Sequence, residues 1–341
     1  MKPTFQPRLV NDPFGDPALY VEFLFQKRAL LFDLGDIHAL NPRKLLRLTH
    51  IFVSHAHMDH FYGFDYLLRV CLGRALTIRL YGPEGFIDRV EHRLGGYTWN
   101  LVENYTDELV FIVHEWHGGK NMIRARFRCR RAFAREDLAP VPTENGTLVS
   151  EPGLTVRAAV LDHKIPCLAF RLEEPQHVNI WKNRLEELGI PTGPWLQELK
   201  RAVLENRPDD YPVTARWRDR DGEHRRRFTL GELKAKILNI VSGLKIGYVV
   251  DCLYSEHNLY QLERLLTEVD WLYIEASFSE AEKDAAAQKH HLTAWQAGDI
   301  GRRVGAKRLI PFHFSARYQD RPQHLYQEAL SRFEGCSHGA E

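Results

Sequence analysis

Short apolar runs of strand length alternate along this chain with segments whose apolar residues recur at helical spacing, the rhythm of a layered α/β protein. The runs 29–34 (ALLFDL) and 48–54 (LTHIFVS) predict buried strands, each leading into a polar or glycine-rich turn. Leu244–Val250, Trp271–Ile274 and Leu309–Phe312 predict three more. A helix is predicted over 83–94, because proline suits a first helical position. Thr293 is placed to cap a helix whose inward face is Ala294, Ala297, Ile300 and Val304. Asp320 with Pro322 opens a last helix running to about Arg332.

Two regions break this rhythm. Residues 115–150 contain Arg124, Arg126, Arg128, Arg130, Arg131 and Arg135, and basic and apolar residues alternate from 123 to 129 as on a strand with one basic face. Residues 175–228 carry two short amphipathic helices, around 180–188 and 195–204, followed by Arg216, Arg218, Arg220, Arg225, Arg226 and Arg227. Asp219, Asp221 and Glu223 partly neutralise this second cluster. A solvated surface accounts for such charge runs as readily as a binding face does.

Composition narrows the class. The 341 residues allow one large domain or two ordinary ones, and 46 basic against 45 acidic side chains leave a formal charge of +1. That balance excludes a generic polyanion binder, so any nucleic-acid contact must come from local patches. The five cysteines, at 71, 129, 167, 252 and 336, show no CxxC spacing and predict a reducing compartment without a disulfide frame. No membrane-length apolar run occurs, and a cytoplasmic protein is expected.

The chemistry concentrates in SHAHMDHFYG, residues 54–63, directly after a predicted strand. Three imidazoles and a carboxylate on one tight loop are a donor set for divalent metal: His55 and His57 can face one ion while Asp59 and His60 face another.

This motif resembles the signature of the metallo-β-lactamase superfamily, and within it the chain looks most like the ribonuclease Z family, from about residue 29 to 320. The resemblance implies a four-layered αββα sandwich, a single domain over 1–341 with an inserted arm-like segment at about 175–228, and two divalent ions per chain, zinc first, with manganese or iron as alternatives. It implies precursor tRNA as substrate and a homodimer, with no membrane partner. FDLG at 32–35 is similar to the family's early strand end, where the carboxylate of Asp33 supports the metal loop. LDHKIPC at 161–167 resembles the segment that brings the third histidine, His163, to the first metal, and YVVDC at 248–252 places Asp251 as the bridge. HLTA at 291–294 resembles the family's His-Ser-Thr and makes His291 the general acid, with Glu275 of IEASF orienting it, sharing its proton or serving equally as a structural carboxylate. HFSARY at 313–318 gives His313 to the second metal and sets Ser315 and Arg317 near the RNA backbone. GIPTGP at 189–194 resembles the Gly-Pro motif of the tRNA-gripping arm, although any turn between helices uses the same residues.

His290 competes with His291, and His114 and His117 compete with His163 as the third histidine. The chain departs from the family at Val250 and Cys252 around the bridging aspartate, at Leu292, in FYGFDYLL where Gly-Leu-Pro-Gly is usual, and in the arginine-rich 115–150 segment. The expected activity is two-metal phosphodiester hydrolysis, with Asp59 also accepting the proton of the attacking water. The alternatives are a small-substrate hydrolase on the same site, of cyclic nucleotide phosphodiesterase, sulfatase or lactonase type, and a non-catalytic RNA-binding scaffold.

Overall fold

The computed structural model describes residues 4–24, 26–174, 176–220 and 222–335. Asp221 of the second basic cluster and Cys336 lie outside the described residues; the cysteines at 71, 129, 167 and 252 are buried free thiols.

An eight-stranded sheet takes its strands in chain order: β1 (Phe5–Leu9), β2 (Leu19–Phe23), β3 (Ala29–Phe32), β4 (Leu48–Phe52), β5 (Leu76–Gly82), β6 (Leu109–Trp116), β7 (Asn121–Arg128) and β8 (Arg135–Pro142). β3 to β6 are parallel neighbours, so the crossovers between them need helices. The helix Phe64–Cys71 buries Phe64, Leu67, Leu68 and Cys71, an i, i+3, i+4, i+7 stripe turned to the core. The second sheet runs β18-β17-β16-β11-β10-β9, from β9 (Thr147–Glu151), β10 (Leu154–Asp162), β11 (Pro166–Glu173), β16 (Lys245–Val249), β17 (Trp271–Glu275) and β18 (Arg308–Phe312). Between β11 and β16 come two antiparallel pairs, β12 (Gln176–Ile180) with β15 (Leu238–Ser242), and β13 (Pro212–Asp219) with β14 (Gly222–Thr229).

The two-residue period of the strands sets the layers. In β3 and β4, Leu31 and Ile51 turn to the helices on one side, while Phe32 and Phe52 turn inward. Inside, Phe32 and Phe52 stack at 5.0 Å and meet Phe170 of β11 at 5.6 and 5.7 Å, and Phe32 meets Tyr248 of β16 at 5.7 Å. On the far face of the second sheet, Val249, Leu272 and Ile274 pack with Leu262, Ala297, Ile300 and Leu325 of three covering helices. Helix, sheet, sheet, helix is the four-layered αββα sandwich.

By compactness the chain divides into two units, one of residues 149–155 and 173–244 with Thr4, the other of residues 5–148, 156–172 and 245 onward. The first has its own apolar core, in which Leu185, Ile190, Trp195, Leu199 and Val203 pack with Val213, Phe228, Leu230, Leu233 and Ile237.

Element ends differ from expectation where a local feature overrides the pattern. The helix expected from Pro83 begins at Phe86, because Gly85 sits in the left-handed region at φ 78° and the chain turns there first. The last helix, Pro322–Glu334, has Arg321 rather than Asp320 at its N-cap. Thr293 does cap its helix, Ala294–Arg303, in a capping box with Gln296. The basic face of β7 is spent internally: Arg126 pairs with Glu136 of β8, which also lies 3.7 Å from Arg128, and Arg135 holds Asp88, Glu91 and Asp137.

Candidate metal centre

Loops leaving the C-terminal ends of β3, β4, β16, β17 and β18, with the turn between β10 and β11, meet at one place. Donor atoms of His55, His57, His163 and Asp251 lie within 4.8 Å of one another, as do those of Asp59, His60 and His313, and those of Asp251, Glu275, His291 and His313. Asp251 thus faces both histidine sets.

The backbone is bent hard to achieve this. Asp33, Lys164, His290 and His313 have φ of 58°, 60°, 58° and 57°, a left-handed region that residues with a Cβ adopt at a cost. Asp33 and His313 directly follow β3 and β18, Lys164 lies in the turn between β10 and β11, and His290 caps the helix Lys283–Lys289.

Asp33 organises the loop from below. It is fully buried, and its carboxylate accepts from the Ser54 amide (2.6 Å) and hydroxyl (2.9 Å), the Tyr248 hydroxyl (2.9 Å) and His60 Nδ1 (3.0 Å). With Nδ1–H committed to Asp33, His60 turns Nε2 to the centre, the atom that can bind a metal ion once it gives up its proton. His163 is oriented in the same way by donating from Nδ1 to the His290 carbonyl at 2.8 Å. Asn258, 1% exposed, ties the segments that hold His163 and Asp251: it accepts from the Asp162 amide at 2.9 Å and donates to the carbonyls of Asp162 (3.0 Å) and Leu253 (2.8 Å). Tyr248 and Asn258 were not singled out from the sequence, since each acts mainly through partners remote along the chain.

His291, not His290, turns to the centre. Its Nδ1 is 2.8 Å from Glu275 Oε2 and 3.8 Å from Asp251 Oδ1, whereas His290 serves through its carbonyl. Glu275 is fully buried and also accepts from the Ser277 hydroxyl and the amides of Cys252 and Leu292. Burial works against charge on His291, but Glu275 more than offsets it and raises the imidazole above its ordinary value. The competitors sit elsewhere. His114 lies in β6, stacked on Tyr81 at 4.4 Å, with burial pushing its pKa down to about 4; His117 pairs with Glu115 at 2.7 Å. Ser315 and Arg317 follow His313 on a turn, where Arg317 pairs with Glu282 at 2.6 Å and lies over Phe278.

The residues present fit divalent ions. His55 Nε2, His60 Nε2, His313 Nδ1 and Asp251 Oδ1 are buried without a well-aligned hydrogen bond and crowd this one spot, His313 Nδ1 3.0 Å from Asp251 Oδ1 and His60 Nε2 3.5 Å from Asp251 Oδ2. Unsatisfied buried polar atoms are costly, and a cation among four of them removes the cost. Without a cation, burial resists charge on His60 and His313, but Asp251, with Asp33 for His60 and Asp59 for His313, holds His60 well above its ordinary pKa and pushes His313 up to about 10.

No family model matches the chain. It is 33% identical over 327 residues to ribonuclease Z of Deinococcus radiodurans, covering 92% of this chain and 90% of that one. It is 26% identical over 324 residues to ribonuclease Z of Exiguobacterium sibiricum, covering 92% and 88%. Among solved structures, the metallo-beta-lactamase fold protein YhfI from Bacillus subtilis superposes with a TM-score of 0.55 at 14% identity, over 98% of this chain and 94% of that one, a likeness of fold. Among the described residues no helix is long and apolar enough to cross a membrane. Identity to a ribonuclease Z over nearly the full length of both chains, on an αββα sandwich with a histidine-carboxylate centre at its strand ends, places the chain in the ribonuclease Z family of metallo-β-lactamase-fold endoribonucleases.

Proposed function

We propose that this endoribonuclease cleaves a phosphodiester at or near the 3′ end of precursor tRNA, using a dinuclear divalent-metal centre. The observation that carries the reading is the convergence of buried donors on Asp251 in a chain similar to ribonuclease Z over most of its length. His55, His57 and His163 would hold one ion, Asp59, His60 and His313 the other, and Asp251 both; imidazole and carboxylate donors suit zinc, with manganese and iron as alternatives. Divalent ions, when bound there, supply Lewis acidity that makes water nucleophilic near neutral pH and offsets charge on the attacked phosphate.

The chain's own residues do the rest. Asp59 Oδ2, 3.4 Å from both His60 Nε2 and His313 Nε2 and partly exposed, is placed to take up the proton of the attacking water. His291 keeps Nδ1 on Glu275, which leaves Nε2–H to protonate the departing 3′ oxygen, and the buried carboxylate stabilises the imidazolium that donates it. Ser315 and Arg317 would meet the RNA backbone beside His313. The unit of residues 173–244, which contains the Gly-Pro turn at 189–194, would grip the tRNA away from the reacting bond, in a homodimer.

The test is turnover of an end-labelled precursor tRNA beside a cyclic nucleotide and a bis-aryl phosphodiester, with zinc or manganese supplied. Endonucleolytic cleavage of the tRNA at one 3′-proximal position is expected. Efficient turnover of the cyclic nucleotide with the tRNA left intact would replace this reading by a small-substrate phosphodiesterase.

A further inference from the structure

The outer side of the metal-loop turn is apolar where it need not be. Met58–Phe61 forms a single helical turn closed by the Tyr62 amide on the Met58 carbonyl. His60 and Phe61 point inward and are buried. Met58, Asp59 and Tyr62 are the positions of this turn that stay open to solvent. Met58 is 81% and Tyr62 46% exposed, and the Asp59 side chain between them is 43% exposed. The shelf continues sideways: the His38 ring lies 6.4 Å from Tyr62 and stacks on Tyr66 at 4.2 Å with the planes 28° apart. Tyr62 and Tyr66 belong to the FYGFDYLL stretch in which the chain departs from its family.

Exposed large apolar side chains on both sides of a carboxylate that faces a metal centre are a liability in water unless something covers them. A phosphodiester held at that centre carries a nucleobase on the nucleotide to either side, and an unpaired base has an apolar face that stacks on aromatic rings. We infer that Tyr62, with Met58 and the His38–Tyr66 pair behind it, is a stacking subsite for the unpaired base of a nucleotide adjoining the scissile phosphate. The inference rests on the reading that the centre cleaves RNA. Tyr62 acts by binding, because its position on the rim orders the strand and leaves the reacting atoms to Asp59 and His291.

The experiment is a cycle between Tyr62→Ala and removal of a base. Cleavage is followed on the intact RNA and on RNAs made abasic at the nucleotide 5′ or 3′ of the cut, with the metal-loaded enzyme and its variant. Tyr62→Ala should lower kcat/KM on the intact RNA about tenfold, the usual worth of one base-on-aromatic stack. One of the abasic positions should cost the unaltered enzyme a similar factor and cost Tyr62→Ala little more. Tyr62→Trp should restore activity, which a merely structural role for the hydroxyl or for packing would not allow. A second readout needs no turnover: 2-aminopurine at that nucleotide should be quenched on binding the unaltered protein and not on binding Tyr62→Ala. Losses that multiply independently, or equal quenching by both proteins, would overturn the subsite while leaving the nuclease reading intact. Absence of RNA cleavage by the unaltered enzyme would overturn that reading, and the subsite with it.

Discussion

Asp33 and Glu275 hold no metal in the proposed arrangement, yet each is a fully buried carboxylate that fixes an imidazole. Both stood out in the sequence, through FDLG and IEASF, because each sits at a strand end in a recognisable series. Tyr248 did not: it is 215 residues from Asp33 and reads as one more apolar strand position, although its hydroxyl completes the set of donors on that carboxylate. Tyr248→Phe leaves Asp33 its three other donors and is expected to cost about 1–3 kcal/mol in thermal unfolding, the range for a buried acceptor losing a partner. It should also weaken metal binding about tenfold in a chelator competition; unchanged affinity would show that Ser54 and His60 suffice. His291→Ala should keep both metals yet lower kcat about 10²–10⁴-fold on an alkoxide-leaving RNA and far less on a nitrophenyl ester, which departs without a proton. Equal slowing of both substrates would remove His291 from the acid role. Metal binding itself should release protons. In the metal-free protein Asp251 and its neighbouring carboxylates raise His60 well above its ordinary value and push His313 up to about 10, so an incoming ion displaces protons and its affinity should fall as pH is lowered. Calorimetry in buffers of different ionisation enthalpy reads the release directly, and a buffer-independent heat would contradict it.

At the scale of elements, the site depends on how closely three turns approach. The Leu34 amide donates to the His60 carbonyl at 2.9 Å and the Gly63 amide to the Leu34 carbonyl at 2.7 Å, so the loop after β3 is laced to the metal turn. A Cβ on Gly35 would lie 2.5 Å from the Asp59 carbonyl oxygen and 2.8 Å from that of Pro17, and backbone cannot swing aside as a side chain can. Gly35→Ala is therefore expected to lower stability by about 1–3 kcal/mol, as overpacking does. It should also reduce metal occupancy, read by elemental analysis, because the displaced atom belongs to Asp59; full occupancy with a lowered Tm would confine the effect to packing. Strands of this kind were legible because burial on both faces leaves uninterrupted apolar runs. Helix starts were less so. Pro83 suits a first turn, but Gly85 in the left-handed region delays the helix to Phe86, and φ is not written in composition. The basic alternation in 123–129 was visible as a strand, whereas its neutralisation by Glu136 depends on the β7–β8 register, which brings Arg126 opposite Glu136.

At the scale of the whole chain, the seven proposed metal donors, with Glu275 and His291, all belong to the unit of residues 5–148, 156–172 and 245 onward. The sequence suggested an arm at about 175–228, anchored on its turn residues and arginines; the compact unit extends to Leu244, because β15 pairs with β12 and Ile237 and Leu238 join its core. That changes how the proposed arm is best removed. Deleting only its first two helices would strip Leu185, Trp195 and Leu199 from a core that Val213, Phe228 and Leu233 share, and leave those exposed. Gln176 and Ser242, by contrast, are direct partners in an antiparallel ladder, so their backbones are already within reach of a short turn. Excising residues 177–241 and joining Gln176 to Ser242 through a two-residue Asn-Gly turn removes the shared core and most of the unit, leaving residues 149–155 and the strand ends at 173–176 and 242–244. The shortened protein is expected to bind metal and to turn over a bis-aryl phosphodiester within about threefold of the full chain, while KM for a structured precursor tRNA rises about tenfold or more, since binding energy remote from the reacting bond is lost only on a substrate that has the remote part. Thermal unfolding and metal content of the shortened chain establish that it is folded before the comparison is made. Equal losses on both substrates in a folded, metal-loaded protein would mean that the unit supports the centre and does not grip RNA.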